Sequence, residues 1–165
     1  MNHDRWCPAY IGLGSNLQGP SRQVESAIQQ LDELAGTRLF AYSGTYRSAP
    51  YGGVEQPEFV NAVAAVLTQL GPRELLDELK ALERARGREQ GGQRWGPRIL
   101  DLDILVYAER ILEEDGLTLP HPGIAERNFV LLPLREIAPH LVIPGLGRVA
   151  SIAVNEREPS IERIA

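Results

Sequence analysis

Between Ala9 and Leu13 the chain is short and apolar, and Gly14-Ser15-Asn16 follows at once, which predicts a strand running into a turn. From Pro20 to Ala35 the spacing changes. Val24, Ile28 and Leu31 fall at i, i+4 and i+7, the stripe of an amphipathic helix, and Gly36 is placed to stop it. Thr37 to Arg47 and Phe59 to Leu70 are rich in aromatic and β-favouring residues, so two strands are expected, joined by the Pro/Gly-rich loop SAPYGGVEQPE. Gly71-Pro72 opens a second helix, with Leu75, Leu79 and Leu82 on one face, ending near Gly87. REQGGQRWGPR is too rich in glycine and charge for regular structure, and ILDLDILVY after it reads as a strand.

The order βαββαβ predicts an α+β fold, a ferredoxin-like sandwich with helices on one face of a mostly antiparallel sheet. Beyond Tyr107 a short strand pair is expected around Arg110 to Leu119, then a helix from Phe129 to Ile137 broken by Pro133. No repeat, low-complexity tract or linker divides the chain, so residues 1–165 are expected to form one domain.

Composition narrows the setting. A chain of 165 residues with 43% hydrophobic content can fill one core, and a formal net charge of -5 disfavours nucleic acid as a partner. No apolar run approaches the roughly 18 residues of a membrane helix. Cys7 is the only cysteine, and MNHDRWCPAY lacks the basic segment and long apolar run of a signal peptide, so the expected location is the cytoplasm. Of the 17 basic residues all but Lys80 are arginine, so only the positions of the arginines carry information.

Those positions matter beside one acidic pair. On a strand Asp101 and Asp103 point the same way, with Cα atoms roughly 6.5 to 7 Å apart, while Leu100, Leu102, Ile104 and Val106 fill the other face. Two carboxylates this close repel unless a cation lies between them, and two carboxylates plus substrate phosphates suit Mg²⁺. Taken alone, the pair reads first as a solvated strand face with two harmless acids. Just upstream, Arg84, Arg86, Arg88, Arg94 and Arg98 are interrupted by a single acid, Glu89. Such a positive field beside a carboxylate pair is what a magnesium triphosphate requires. Arg84 and Arg86 also read as ordinary exposed helix residues, whereas the glycines around Arg88 and Arg98 suggest a loop that closes over a ligand.

Walker and dinucleotide glycine motifs are both incomplete: Pro20-Ser21 stands where a Walker loop needs Lys and Ser/Thr, and Gly12-Leu13-Gly14 lacks the third glycine. Asn61 lies on an apolar strand face between Phe59 and Val63, so its amide must bond to protein or to a heteroaromatic ligand edge. His121, Phe129 and Trp95, taken singly, read as structural residues.

Together the segments YIGLGSNL, YRSAPYG, QPEFVNAV, RWGPRILDLDIL and LPHPGIAERNF resemble the bacterial 6-hydroxymethyl-7,8-dihydropterin pyrophosphokinases of folate synthesis. The resemblance spans nearly the whole chain. It implies Mg²⁺-dependent transfer of diphosphate from ATP to the pterin alcohol, with attack at the β-phosphorus and AMP leaving. It assigns two Mg²⁺ ions to Asp101 and Asp103, and ATP contacts to Glu83, Arg88, Trp95, Arg98, His121 and Arg127. Arg88, Arg98, Asp101 and Asp103 carry catalysis. The pterin is placed between Phe59 and Phe129, near Trp95, with Asn61 and backbone groups near Ser48 and Tyr51 reading its edge. ATP and the pterin are the expected partners of a monomer. A nucleotidyltransferase attacking the α-phosphorus and a nonenzymatic binding module on the same scaffold are the competing readings.

Overall fold

Alternation carries the first strand further than its apolar centre: in β1 (Cys7–Ser15), Ala9, Ile11, Leu13 and Ser15 are buried while Tyr10, Gly12 and Gly14 turn to the opposite face. The computed structural model describes residues 5–50, 55–87 and 99–165. Helix α1 (Pro20–Leu31) buries Val24, Ala27, Ile28 and Leu31. It stops short of Ala35 because Asp32 accepts the Leu39 N–H through Oδ1 at 2.8 Å, tying the helix end to the next strand.

Thr37 to Arg47 does not form one strand. It divides into β2 (Thr37–Tyr42) and β3 (Tyr46–Ser48). At the break, Ser43 donates its N–H to the Val63 carbonyl at 2.8 Å and accepts the Val63 N–H through Oγ at 2.9 Å. A Cβ on the neighbouring Gly44 would come within 2.2 Å of the Ala165 carbonyl oxygen. A contact from the far end of the chain therefore sets this break.

Strand β4 (Phe59–Thr68) is the most covered element, with only Phe59 and Leu67 partly exposed. Helix α2 (Pro72–Ala85) starts where Glu74 accepts the Gly71 N–H at 3.0 Å, and buries Leu75, Leu76, Leu79 and Glu83. Strand β5 (Asp101–Tyr107) follows, then the hairpin β6 (Leu112–Glu114) and β7 (Leu117–Leu119), turned at Gly116 with φ 75°.

Helix α3 (Asn128–Ile137) runs through Pro133 rather than breaking there. Proline removes one backbone donor, and the buried Val130, Leu131 and Leu134 around it hold the helix against the sheet. A small hairpin, β8 (Val142–Ile143) and β9 (Gly147–Arg148), leads to the last strand, β10 (Ile161–Arg163).

Among the described residues the main sheet runs β10-β3-β4-β1-β5, with β2 also on β4, and every pairing is antiparallel. This is the expected ferredoxin-like α+β arrangement, extended by β10. Helices α1 and α2 pack on one face over Ile11, Leu13, Ala62, Ala64, Leu102 and Ile104. The third helix lies on the other face, over Val63, Leu105 and Val106; a register shift in the β1–β5 pairing turns Val106 away from the face of Leu102 and Ile104, where strict alternation would put it. That placement was beyond the βαββαβ pattern, which speaks only for the first two helices. No helix among the described residues is long and apolar enough to cross a membrane.

Leu79 is fully buried in the helix layer. Leu79→Ala should lower stability by about 2–5 kcal/mol, read from the urea midpoint, with the denaturant slope unchanged.

Candidate active site

The face that carries α3 also carries the candidate site. Val63 lies beneath the helix, and Asn61 and Phe59, two and four residues earlier in β4, share its side of the sheet. Register extends this row sideways: Asn61 pairs with Gly14, and Gly14 pairs with Asp101. One step along, Val63 pairs with Gly12, and Gly12 with Asp103. Neighbouring strands are about 4.8 Å apart, so roughly 10 Å of glycine backbone separates the amide from the carboxylates.

A Cβ on Gly14 would sit 3.2 Å from Asn61 Oδ1, and one on Gly12 would sit 3.3 Å from Leu105 Cδ2. The two glycines therefore form a floor on which the side chains of Leu105 and Asn61 rest. Read as a sequence, Gly12-Leu13-Gly14 was only a failed dinucleotide motif. The usable signal was glycine at i and i+2 on a strand, which leaves one face without side chains.

Asp101 and Asp103 do share that face. Burial pushes the Asp103 carboxyl up to about 7, and the neighbouring charge of Asp101 adds to the shift. Lys80 and Arg127 pull it down and Glu83 pushes it up, so two cations surround the pair without cancelling its cost.

Glu83 has a distinct position. It is 2% exposed, and its Oε2 accepts the N–H of Leu102, the residue between the two aspartates, at 2.7 Å. Its Oε1 lies 3.4 Å from Lys80 Nζ. The buried glutamate thus fixes the backbone that aims both aspartates, and the single lysine of the chain balances it.

His121 and Arg127 stand beside the aspartates. The His121 N–H donates to the Leu105 carbonyl at 2.8 Å, and its Nδ1 accepts the Gly123 N–H at 3.0 Å. Burial first, and the charge of Arg127 second, lower its pKa to about 4, so near neutral pH the ring is uncharged and carries its proton on Nε2. Arg127 precedes α3, and its side chain crosses Gly123 so closely that a Cβ there would meet its Nε at 2.6 Å. Gly123 is a third site glycine, which the sequence did not reveal.

On the amide side, Asn61 donates through Nδ2 to Ser48 Oγ at 2.8 Å, with both residues buried. Phe129 is the second residue of α3 and packs at the margin of the cluster beneath it. Arg86 lies outside this arrangement: its Nη1 donates to the Gln23 carbonyl at 3.1 Å and to Gln23 Oε1 at 2.6 Å, joining α2 to α1. Tyr51, Arg88, Trp95 and Arg98 lie outside the described residues.

A model of the 7,8-dihydro-6-hydroxymethylpterin-pyrophosphokinase (HPPK) family matches residues 10–139. The chain belongs to this family. It is 47% identical over 136 residues to a 2-amino-4-hydroxy-6-hydroxymethyldihydropteridine pyrophosphokinase of Haemophilus influenzae, covering 82% of this chain and 84% of the relative. A relative of the same name from Methylorubrum extorquens is 41% identical over 157 residues, 94% of this chain and 98% of that one. Among solved structures, a Plasmodium falciparum HPPK-DHPS triple mutant superposes with a TM-score of 0.72 at 16% identity. That match covers 90% of this chain and 44% of the Plasmodium chain, and it shows the fold. The HPPK match takes in the floor glycines, the aspartate pair, His121, Arg127 and Phe129.

The aspartate pair predicts a pH-dependent cost. An acid raised from 3.8 to about 7 on folding destabilises the folded state fully above pH 7, and less as pH falls toward its unfolded value. In chelator, Asp103→Asn should therefore melt higher than the parent chain at pH 8. The gap should close as pH falls from 7 toward 4; a variant melting lower at pH 8 would contradict the assignment of that cost.

Proposed function

We propose that the chain carries out the reaction its family is named for, moving the terminal diphosphate of ATP onto the hydroxymethyl oxygen of 6-hydroxymethyl-7,8-dihydropterin. One observation supports this most: a carboxylate pair flanked by a histidine and an arginine, and a buried amide held by Ser48, lie on the same face of the sheet, two strands apart. That separation suits a reaction in which a polyphosphate meets a flat heterocycle.

The donor set fits magnesium. Among the described residues no group of three His, Cys, Asp or Glu could hold a metal, so Asp101 and Asp103 form an incomplete shell that phosphate oxygens and water would complete. The cost of burial and of the Asp101 charge that Lys80 and Arg127 leave at Asp103 favours a cation there. Bound Mg²⁺, two ions in this reading, would supply neutralisation of the phosphates and a lower pKa for the attacking hydroxyl.

The chain's own groups do the positioning. His121 offers Nε2–H and Arg127 its guanidinium to phosphate oxygens, and both are fixed before substrate arrives. Phe59 and Phe129 bind the pterin ring by stacking, and Asn61, held by Ser48, reads its hydrogen-bonding edge with backbone near Tyr51. Arg88 and Arg98 contact the triphosphate, and Trp95 completes the site. Glu83 acts through Leu102, keeping the aspartates in register. The hydroxymethyl oxygen attacks the β-phosphorus and the bond from that phosphorus to the α-phosphate oxygen breaks. AMP leaves with that oxygen, and the hydroxyl proton passes to solvent. Every group named comes from one chain, so a monomer suffices.

Incubation with ATP, Mg²⁺ and the pterin, followed by mass analysis, should give AMP and the pterin diphosphate. Free pyrophosphate would indicate attack at the α-phosphorus instead, and binding without turnover would indicate a binding module. Asp101→Ala and Asp103→Ala should each nearly abolish turnover in folded protein. Arg98→Ala should lower kcat more than it weakens ATP binding, because the charge it meets grows in the transition state.

A further inference from the structure

The family match ends at residue 139, yet the chain beyond it returns to the active site from behind. Asn128 opens α3 between Arg127 and Phe129 and is 2% exposed. Both protons of its Nδ2 are used: they donate to the Asn155 and Pro159 carbonyls, each at 2.7 Å. Asn155 shapes the same segment, accepting the N–H groups of Arg157 and Glu158 through Oδ1 at 2.9 and 3.2 Å. The next residue, Ser160, accepts the Ala49 N–H at 3.0 Å, and Ile161 pairs with Ser48 in the sheet. Ser48 in turn holds Asn61.

We propose that residues 155–163 form a strap that sets the spacing between the two walls of the pterin site, with Asn128 as its positioning residue. One wall is the start of α3, which presents Phe129. The other is the end of β3, which holds Asn61 and leads into the loop after Ala49. Between these walls the strap supplies a short covalent path, from Pro159, held by Asn128 at the start of α3, to Ser160 and Ile161, which bond to Ala49 and pair with Ser48 at the end of β3.

Asn128 is an expensive choice for a merely space-filling position. Its Oδ1 is buried with no hydrogen-bond partner among the described residues, a burden that an apolar side chain would not carry. Its two donors are what an apolar residue could not supply. Asn128→Asp is the sharpest test, because it places a carboxylate oxygen against two carbonyl oxygens while keeping the side chain's size. The inference rests on reading Phe59, Asn61 and Phe129 as the pterin site.

The test measures two dissociation constants by calorimetry on the full chain: a nonhydrolysable ATP analogue with Mg²⁺, and the pterin in the presence of that analogue. The variants are Asn128→Asp, the milder Asn128→Ala, and Leu31→Ala, which loosens the opposite helix layer without touching either wall. A wall misplaced by about 1 Å predicts pterin binding weaker by roughly tenfold or more in Asn128→Asp. Asn128→Ala should show a smaller loss in the same direction and carries the test if the Asp variant does not fold. Analogue affinity should stay within about twofold, KM for pterin should rise more than kcat falls, and Leu31→Ala should leave pterin affinity unchanged. Normal pterin binding in folded Asn128→Ala and Asn128→Asp overturns the strap alone. An equal loss of both ligands also overturns it, since that marks general destabilisation. Failure of the parent chain to bind pterin overturns the site reading beneath it.

Discussion

Two carboxylates on one strand face, partly withdrawn from water, are the constraint around which the rest of this structure is arranged. The Asp103 carboxyl is pushed up to about 7 even with Lys80 and Arg127 nearby, so the chain's own cations relieve only part of the cost of burial beside Asp101. A fold keeps such a pair only if its backbone is held rigidly. Glu83 provides that hold by accepting the Leu102 N–H from beneath. Burial and the neighbouring charge of Asp101 together are the cost that a divalent cation carried in with a polyphosphate would offset.

The layering explains why that pair remains accessible. Both crossover helices pack on one face of the sheet, and α3 covers only part of the other. Gly12 and Gly14, on β1 between β4 and β5, leave room for the side chains of Leu105 and Asn61 to lie close against the backbone. The walls of this open region come from parts of the chain distant in sequence: the end of β3, the start of α3, and a C-terminal segment hydrogen-bonded to both. Catalytic geometry here is thus a property of long-range contacts as much as of the aspartate strand.

The sequence made some of this legible for a plain reason: β1, α2 and β5 carry strong apolar periodicity, and burial of one face enforces it. The aspartate pair could be read because strand alternation alone puts both residues on one side. The break at Ser43 to Thr45 could not, since Ala165, Glu136 and Arg163 press on that region from far away in the chain. Pro133 suggested a broken helix because local propensity cannot weigh three buried neighbours against one lost hydrogen bond. Gly14 looked like a turn residue and Gly123 carried no signal, and only the positions of Asn61 and Arg127 reveal why a side chain would not fit. Arg86 looked like surface charge and instead joins two helices. The strap was invisible for a simpler reason: Ile161–Arg163 is three residues long and polar enough to lack any periodic signature.

The central claim is that the aspartate pair is an unfinished cation site completed by the substrate's phosphates. It is tested most directly by measuring the affinity of an ATP analogue, with a methylene between its α- and β-phosphorus atoms, with and without Mg²⁺. In the parent chain Mg²⁺ should tighten binding by roughly tenfold or more, about 1.4 kcal/mol of coupling, and in Asp103→Asn that coupling should largely vanish. Equal analogue affinity with and without Mg²⁺ in the parent chain, or coupling that survives intact in the folded variant, would contradict the account.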